Sequence, residues 1–406
     1  MSEHYDIIIV GGGMVGGALG AALGNGGLRV AVLESQPPAA IPPDSAFDLR
    51  VSSVNLASQH LLENVGAWDA IVASRRLCPW SRIRVWEEGG GATEFIAEDA
   101  GVDSFGHFVE NRLIQWALAE RLKALPGVDY LAPAAPENIR IDPDAVRLET
   151  GEASITASLL VGADGARSRV REVAGIGTHS WDYEQGVVVA SARTMLPQQE
   201  ISWQRFTPSG PQAFLPLPGH HASLVWYHRP AEVKRLLALD DADFMSELEA
   251  TFPQCLGGVS GITARGSFPL RRMHAHRYVD RRVALVGDAA HTVHPLAGQG
   301  VNLGMLDAAV LAEVLLTALG RAEDIGDSEV LARYERRRRR DILAMMGVID
   351  IFYRLFGNDV VPVKLLRNLG LEVANRLTPA KRQVMRFALG LTGEAPTLVR
   401  SPGVSS

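Results

Sequence analysis

The chain has 406 residues, 47% hydrophobic and 21% charged, with a formal net charge of −6 at pH 7 and a mean hydropathy of +0.06. That length supports one large core or two smaller ones, and the acidic balance gives no electrostatic basis for nucleic acid as a partner. Two cysteines, Cys78 and Cys255, far apart and in no metal-type spacing, exclude a disulfide scaffold and a cysteine zinc site; a reducing, cytoplasmic compartment and no metal are expected. The N-terminal "MSEHYD" is acidic where an export signal needs a basic region. No uninterrupted apolar stretch reaches the ~18 residues of a membrane span, which leaves peripheral contact with an inner-membrane surface open.

In chain order, "YDIIIV" is β-branched and continuous, as in a strand buried on both faces. "MVGGALGAALGNGG" follows as a helix closed by a glycine pair, and "LRVAVLE" is a second strand ending at Glu34. Together they form one half-unit of a doubly wound sheet. "QPPAAIPPD" is a proline-rich connector, after which "DLR" reads as a strand ending at Arg50. "ASLLVGADGARSRVR" repeats the strand, glycine turn and helix start. From about 181 to 270 the pattern alternates and turns aromatic, as in "QAFLPLPGHHASLVWYH", which predicts an inserted antiparallel sheet. "RRVALVGDAAH" resumes the buried-strand texture, and helical patterns dominate from 302. The predicted architecture is α/β. Segments 1–70, 100–180 and 275–340 form a discontinuous Rossmann-like nucleotide domain, 71–99 and 181–274 a mainly antiparallel substrate domain, and 341–406 a helical C-terminal region.

Gly11, Gly13 and Gly16 form G-x-G-x-x-G between strand and helix. The first glycine permits the turn, the second lets backbone approach a pyrophosphate, and the third lets helix and strand pack closely. Met14 and Val15 open the helix, whose N-terminus offers N–H groups and positive dipole. Glu34, with Ser35 beside it, ends the second strand where a carboxylate accepts ribose hydroxyls and repels a 2′-phosphate. The adenosine therefore belongs to FAD or NAD. Two further glycine–acid turns, at Asp164–Gly165 and Gly287–Asp288, follow apolar strands at the same carboxyl edge. A dinucleotide as long as FAD needs them, with Asp288 on the ribitol. "AGQGVN" then brings helix-start N–H groups toward the charge of a reduced flavin.

The set "GGGMVGG", "GADGARSRVR" and "GDAAHTVHPLAGQGVNLG" resembles the single-component flavoprotein aromatic hydroxylases of the p-hydroxybenzoate hydroxylase fold, over nearly the whole chain. Within them the last motif, "VEN" (109–111) and "RNLGL" (367–371) resemble the ubiquinone-biosynthesis hydroxylases. "WQRFTPSGPQAFLPL" and "SLVWY" resemble those acting on 2-polyprenyl-3-methyl-6-methoxy-1,4-benzoquinol. Another ring position in the same pathway (polyprenylphenol or 6-methoxyphenol), or an FAD reductase or dehydrogenase of the same fold, stays open. The resemblance implies FAD reduced by transiently bound NADH or NADPH, dioxygen as co-substrate, and oxygen transfer through a flavin C4a-hydroperoxide. It implies a polyprenyl quinol or phenol substrate and association with the membrane or a ubiquinone-pathway complex. It further implies that Arg50 and Asn111 contact the cofactor, that Asp164 and Gly165 lie near the flavin and nicotinamide, and that Pro295 and Gly298, Gln299, Gly300, Val301 and Asn302 flank the isoalloxazine.

No residue reads as a covalent nucleophile. His291 and His294 flank the flavin loop and read as its supports, with His291 and Pro295 the candidates for a direct catalytic role. Phe214, Leu215, Trp226 and Tyr227 are candidates for an apolar substrate pocket, although alternation turns half of such residues to the core. The run Arg336 to Arg340 reads as a solvated helix face, with anionic lipid or an acidic partner as a second use. "ILAMMGVIDIFYRLFG" carries apolar stripes that suit a core, a partner or a membrane surface alike.

Overall fold

The computed structural model describes residues 3–87, 91–151, 153–182, 185–268, 270–293, 298–356, 385–386, 389–390 and 395–401. "RNLGL", His294 and Pro295 lie outside them, as does most of the expected C-terminal region beyond 356.

The first strand, Glu3–Val10, lies between Ala153–Gly162 and Val30–Leu33 and pairs in parallel with both. Val128–Leu131 extends the sheet on one side and Val283–Leu285 on the other, again in parallel. Ile7, Ile8 and Ile9 are wholly buried, as expected where helices cover both faces of a parallel sheet. The helix Met14–Asn25 packs against Asn111–Lys123 and Gln299–Gly320. Its contact with the latter is close: a Cβ on Gly304 would lie 2.6 Å from Val15 Cγ2.

A second sheet has seven strands in the order Val259–Phe268, Gly186–Thr194, His221–His228, Gly210–Leu217, Ile201–Thr207, Arg82–Glu87 and Ala92–Ile96. All its pairs are antiparallel except Ile201–Thr207 with Arg82–Glu87. Helices Pro230–Ala238 and Asp241–Thr251 cover one face; the other looks toward the nucleotide domain. Two three-stranded sheets straddle the boundaries expected near 71 and 181. One joins Val51–Asn55, Gly106–Glu110 and Cys78–Trp80; the other joins Thr178–Asp182, Arg271–Ala275 and His291–Thr292.

Three expectations need correction. Arg50 does not end a strand: it follows an irregular connector and immediately precedes Val51–Asn55. The 22-residue helix Gln299–Gly320 does reach the length and apolarity of a membrane span, because small apolar residues carry the average past Asp307 and Glu313. Two-thirds of that apolar window is nevertheless buried within the fold, as in a core helix (67%). The arginine run is not a uniformly solvated face. Arg338 is buried, and Arg337 and Arg339 pair with Glu313 and Glu335. Only Arg336 and Arg340 of the run are exposed.

Candidate active site

Each glycine of the first turn has a separate reason. Gly11 adopts φ +103°, and a Cβ there would lie 2.3 Å from the Ala163 carbonyl oxygen. A Cβ on Gly16 would lie 1.9 Å from the Gly11 oxygen, so helix and strand meet only because none is present. Gly13 differs. The nearest atom to its would-be Cβ is Gln115 Nε2 at 3.9 Å, so the space above it is open. Gly13 is also the N-cap of Met14–Asn25, with no side chain capping the helix, and exposed N–H groups at such a terminus suit a phosphate. Gly12, which the three-glycine pattern skips, donates its N–H to Glu34 Oε2 at 2.9 Å and so seats that carboxylate beside the turn.

At the second turn Gly165 has φ +77°. Asp164 Oδ2 accepts from the N–H groups of Arg169 and Val170 at 2.7 and 3.1 Å, which ties it to the short helix that follows. Its Oδ1 is buried with no hydrogen-bond partner among the described residues.

The third turn is held from below. Gly287, at φ +57°, donates its N–H to Asp307 Oδ2 at 2.9 Å. His291 Nε2 lies 2.6 Å from the same oxygen, and Arg338 Nε donates to Asp307 Oδ1 at 2.7 Å. Asp307 is 0% exposed. Burial alone would raise its pKa, but the charges of His291 and Arg338 and their hydrogen bonds hold it below the usual carboxylate range. Asp288 lines the cavity and is exposed there, on a turn whose other residues are buried. Burial raises its pKa, while the charges of His291 and Arg50 oppose the rise. Beyond the turn, Gly298 at φ +64° caps the helix Gln299–Gly320, again with no capping side chain.

These turns border one cavity of about 670 Å³. Gly13, Met14, Val15, Arg50, Asn111, Gly165, Gly287, Asp288, Gly298, Gln299, Gly300 and Val301 line it, with Leu215 and Tyr227 from the second sheet. Gly11, Gly16, Glu34, Ser35, Asp164 and His291 do not. The first two shape the turn, and Glu34 lies beside it through the Gly12 N–H. Asn302 is a clamp rather than a wall: its amide donates to the Ser53 carbonyl at 2.8 Å and its oxygen accepts from Asn55 N and Ser58 Oγ. Phe214 and Trp226 turn away from the cavity into the core beneath the two helices, where Trp226 meets Phe252 edge-on at 5.4 Å. Strand parity explains this, since Ala213, Leu215, Val225 and Tyr227 share one face and Phe214, Leu224 and Trp226 the other.

Sequence reasoning missed Asp307, Arg338 and Gly304. The acid inside an otherwise apolar "GMLDAAVLA" was a legible signal for the first; its arginine, 31 residues away on another helix, left none.

The protein-family model described as FAD binding domain matches residues 4–347. Over 392 residues the chain is 44% identical to the 3-demethoxyubiquinol 3-hydroxylase of Escherichia coli, covering 96% of this chain and 100% of that relative. The chain belongs to the FAD-dependent hydroxylases of ubiquinone biosynthesis. In the same family, the ubiquinone hydroxylase UbiL of Rhodospirillum rubrum is 42% identical over 400 residues, covering 97% of this chain and 92% of its own. The fold is that of p-nitrophenol 4-monooxygenase PnpA from Pseudomonas putida, with a TM-score of 0.79 at 22% identity, covering 97% of this chain and 100% of that one. As a hydroxylase of this family it uses FAD, NAD(P)H and dioxygen. The residues present fit the flavin: an uncapped helix terminus over open space at Gly13, an acid at the end of the second strand, and Asp288 and a second uncapped helix terminus on the same cavity as Gly13.

Proposed function

We propose that this hydroxylase adds one oxygen atom to the ring of a polyprenylated methoxy-methyl-benzoquinol, a demethoxyubiquinol being what its 44%-identical relative hydroxylates. One observation carries the reading. One wall of the cavity is the uncharged face of the seven-stranded sheet, which contributes Val187, Val189, Ala213, Leu215, Val225 and Tyr227 beside the neutral polar Ser202, Gln204 and Ser223. Such a wall accepts a neutral, greasy ring and itself offers no cation to a carboxylate; the two arginines that line the cavity, Arg50 and Arg271, lie off this sheet.

In this reading Gly13 and the helix N-terminus take the pyrophosphate, Glu34 the ribose hydroxyls and Asp288 the ribitol, with Gly11, Gly16, Ser35 and Asp164 shaping the cradle. Bound FAD supplies the redox chemistry with NAD(P)H and dioxygen. The N–H groups of Gln299, Gly300 and Val301 stabilise negative charge where they face the cavity, and Arg50 adds a cation there. The apolar sheet face excludes water from the reacting centre. We place the protein on the cytoplasmic side of the membrane and in peripheral contact with it, since a long prenyl chain keeps its carrier in the bilayer.

The test is NAD(P)H oxidation by the FAD-loaded protein with and without a short-chain demethoxyubiquinol. Substrate-stimulated oxidation and a product heavier by one oxygen atom are expected. Oxidation that ignores the quinol, with no such product, overturns the assignment.

A further inference from the structure

The cavity is wider than one ring needs. Its lining draws on every strand of the seven-stranded sheet, from Phe268 at one edge to Phe95 at the other. Six inter-strand steps of about 4.8 Å carry that floor across roughly 29 Å. The two edges differ. At the first, the Arg50 guanidinium stands 5.5 Å from the Phe268 ring, and its charge reaches Asp288, so this edge belongs to the cofactor end.

The opposite edge is closed by a separate apolar cluster. Phe105, Met385 and Leu389 are buried together there, with Trp80, Ile83 and Phe95 packed against them, and all six also line the cavity. Trp80 and Phe105 stack at 5.0 Å in a tilted pair. None of the six carries a charge. They come from three places in the chain: the strands at 78–96, the loop before Gly106, and the described part of the C-terminal segment. A hydrophobic core that closed on itself would not border a cavity continuous with the site of the reaction.

We infer that this far edge is a second subsite, which holds the hydrocarbon tail of the substrate while the ring lies nearer Asp288. The ligand class is a linear polyisoprenoid chain attached to the ring. The inference rests on the proposed function for the ring, but not for its own test. Tail carbons leaving water for an apolar wall bind in proportion to the area buried, so affinity should rise with chain length until the edge is filled. The width also gives the subsite a finite capacity.

The test is equilibrium binding of oxidised quinones, which cannot turn over, to the FAD-loaded protein, followed by flavin absorbance or tryptophan fluorescence. Quinones with one, two and three prenyl units on the same ring form the series. At least ~tenfold tighter binding is expected between the first and the last, from added buried CH₂ groups. Ile83→Trp, which fills the far edge, and Phe95→Ala, which removes a wall, should each shrink that ratio toward one. Retained FAD and an unchanged melting temperature certify that a variant is folded, and either variant alone suffices. Equal affinity along the series, or a ratio that survives in a folded variant, overturns the subsite. A ring hydroxylated at every chain length with a flat binding series would leave the function standing and remove the tail site. A steep binding series without hydroxylation would do the reverse.

Discussion

His291 Nε2 and the N–H of Gly287 meet at the same oxygen of Asp307, at 2.6 and 2.9 Å. A side chain two turns inside a core helix therefore fixes both ends of the turn that carries Asp288. Arg338, itself buried, neutralises it from the next helix and also donates to the Leu303 carbonyl at 3.2 Å. His291 is hydrogen-bonded into this support through Asp307 and does not line the cavity.

Removing one member of the Asp307–Arg338 pair should cost more than removing both. Arg338→Leu leaves a fully buried carboxylate with one positive neighbour fewer, a change worth about 3–5 kcal/mol. Asp307→Leu with Arg338→Leu should be less destabilised than Arg338→Leu alone, because no charge is stranded. Denaturant midpoints of the two variants measure the difference. Equal loss in both would show that the charge pair is not what matters.

The glycines of the first turn separate fold from ligand. Gly16→Ala pushes a methyl into the Gly11 carbonyl and should prevent correct folding of the turn. Gly13→Ala meets nothing within 3.9 Å, so its apoprotein should melt within about 1 kcal/mol of the parent while FAD affinity falls at least tenfold. Calorimetry of apoprotein beside FAD titration reads both. Undiminished FAD binding by Gly13→Ala would remove the pyrophosphate from this position.

Opposite faces of one strand pair should respond differently. Leu215→Ala enlarges the cavity wall and should raise KM for the quinol and uncouple NAD(P)H oxidation from product. Trp226→Ala excavates the core under the helices and should cost about 3–5 kcal/mol with little change in KM of the folded fraction. Coupling ratios and melting curves distinguish them.

Acid should weaken the fold through His274. Burial pushes its pKa down to about 4, and Tyr278 Oη lies 2.9 Å from its Nε2. Between the unfolded value near 6.5 and about 4, the unfolded chain takes up a proton that the folded one refuses. Stability is therefore full above that window and falls as pH drops through it, by at most about 3 kcal/mol for this group. His274→Gln should flatten that segment of the stability–pH curve, measured by urea denaturation from pH 7 to pH 4.

The nucleotide half is legible in the sequence because its constraints are local. A turn that must admit a pyrophosphate needs glycine at Gly11 and Gly16 whatever surrounds it, and Glu34 falls at a fixed distance along one strand–helix–strand unit. The substrate wall is only half legible. Alternation marks residues 213–217 and 222–227 as strand, but which parity faces the cavity depends on helices Pro230–Ala238 and Asp241–Thr251 covering the other side. Arg338 is illegible as a support, since a basic run on a helix looks solvated until Asp307 is brought against it. Asn302 lies in the expected turn, and the partners of its side chain, Ser53 O, Asn55 N and Ser58 Oγ, are illegible because they lie almost 250 residues away in the chain.

The most direct test of the central claim is a single turnover series under dioxygen enriched in a heavy oxygen isotope, with a prenylated methoxy-methyl-benzoquinol and NAD(P)H. One labelled oxygen on the ring per NAD(P)H consumed is the predicted result. A product without the label, formed equally well when dioxygen is withheld, would contradict it and make the protein a reductase on the same fold.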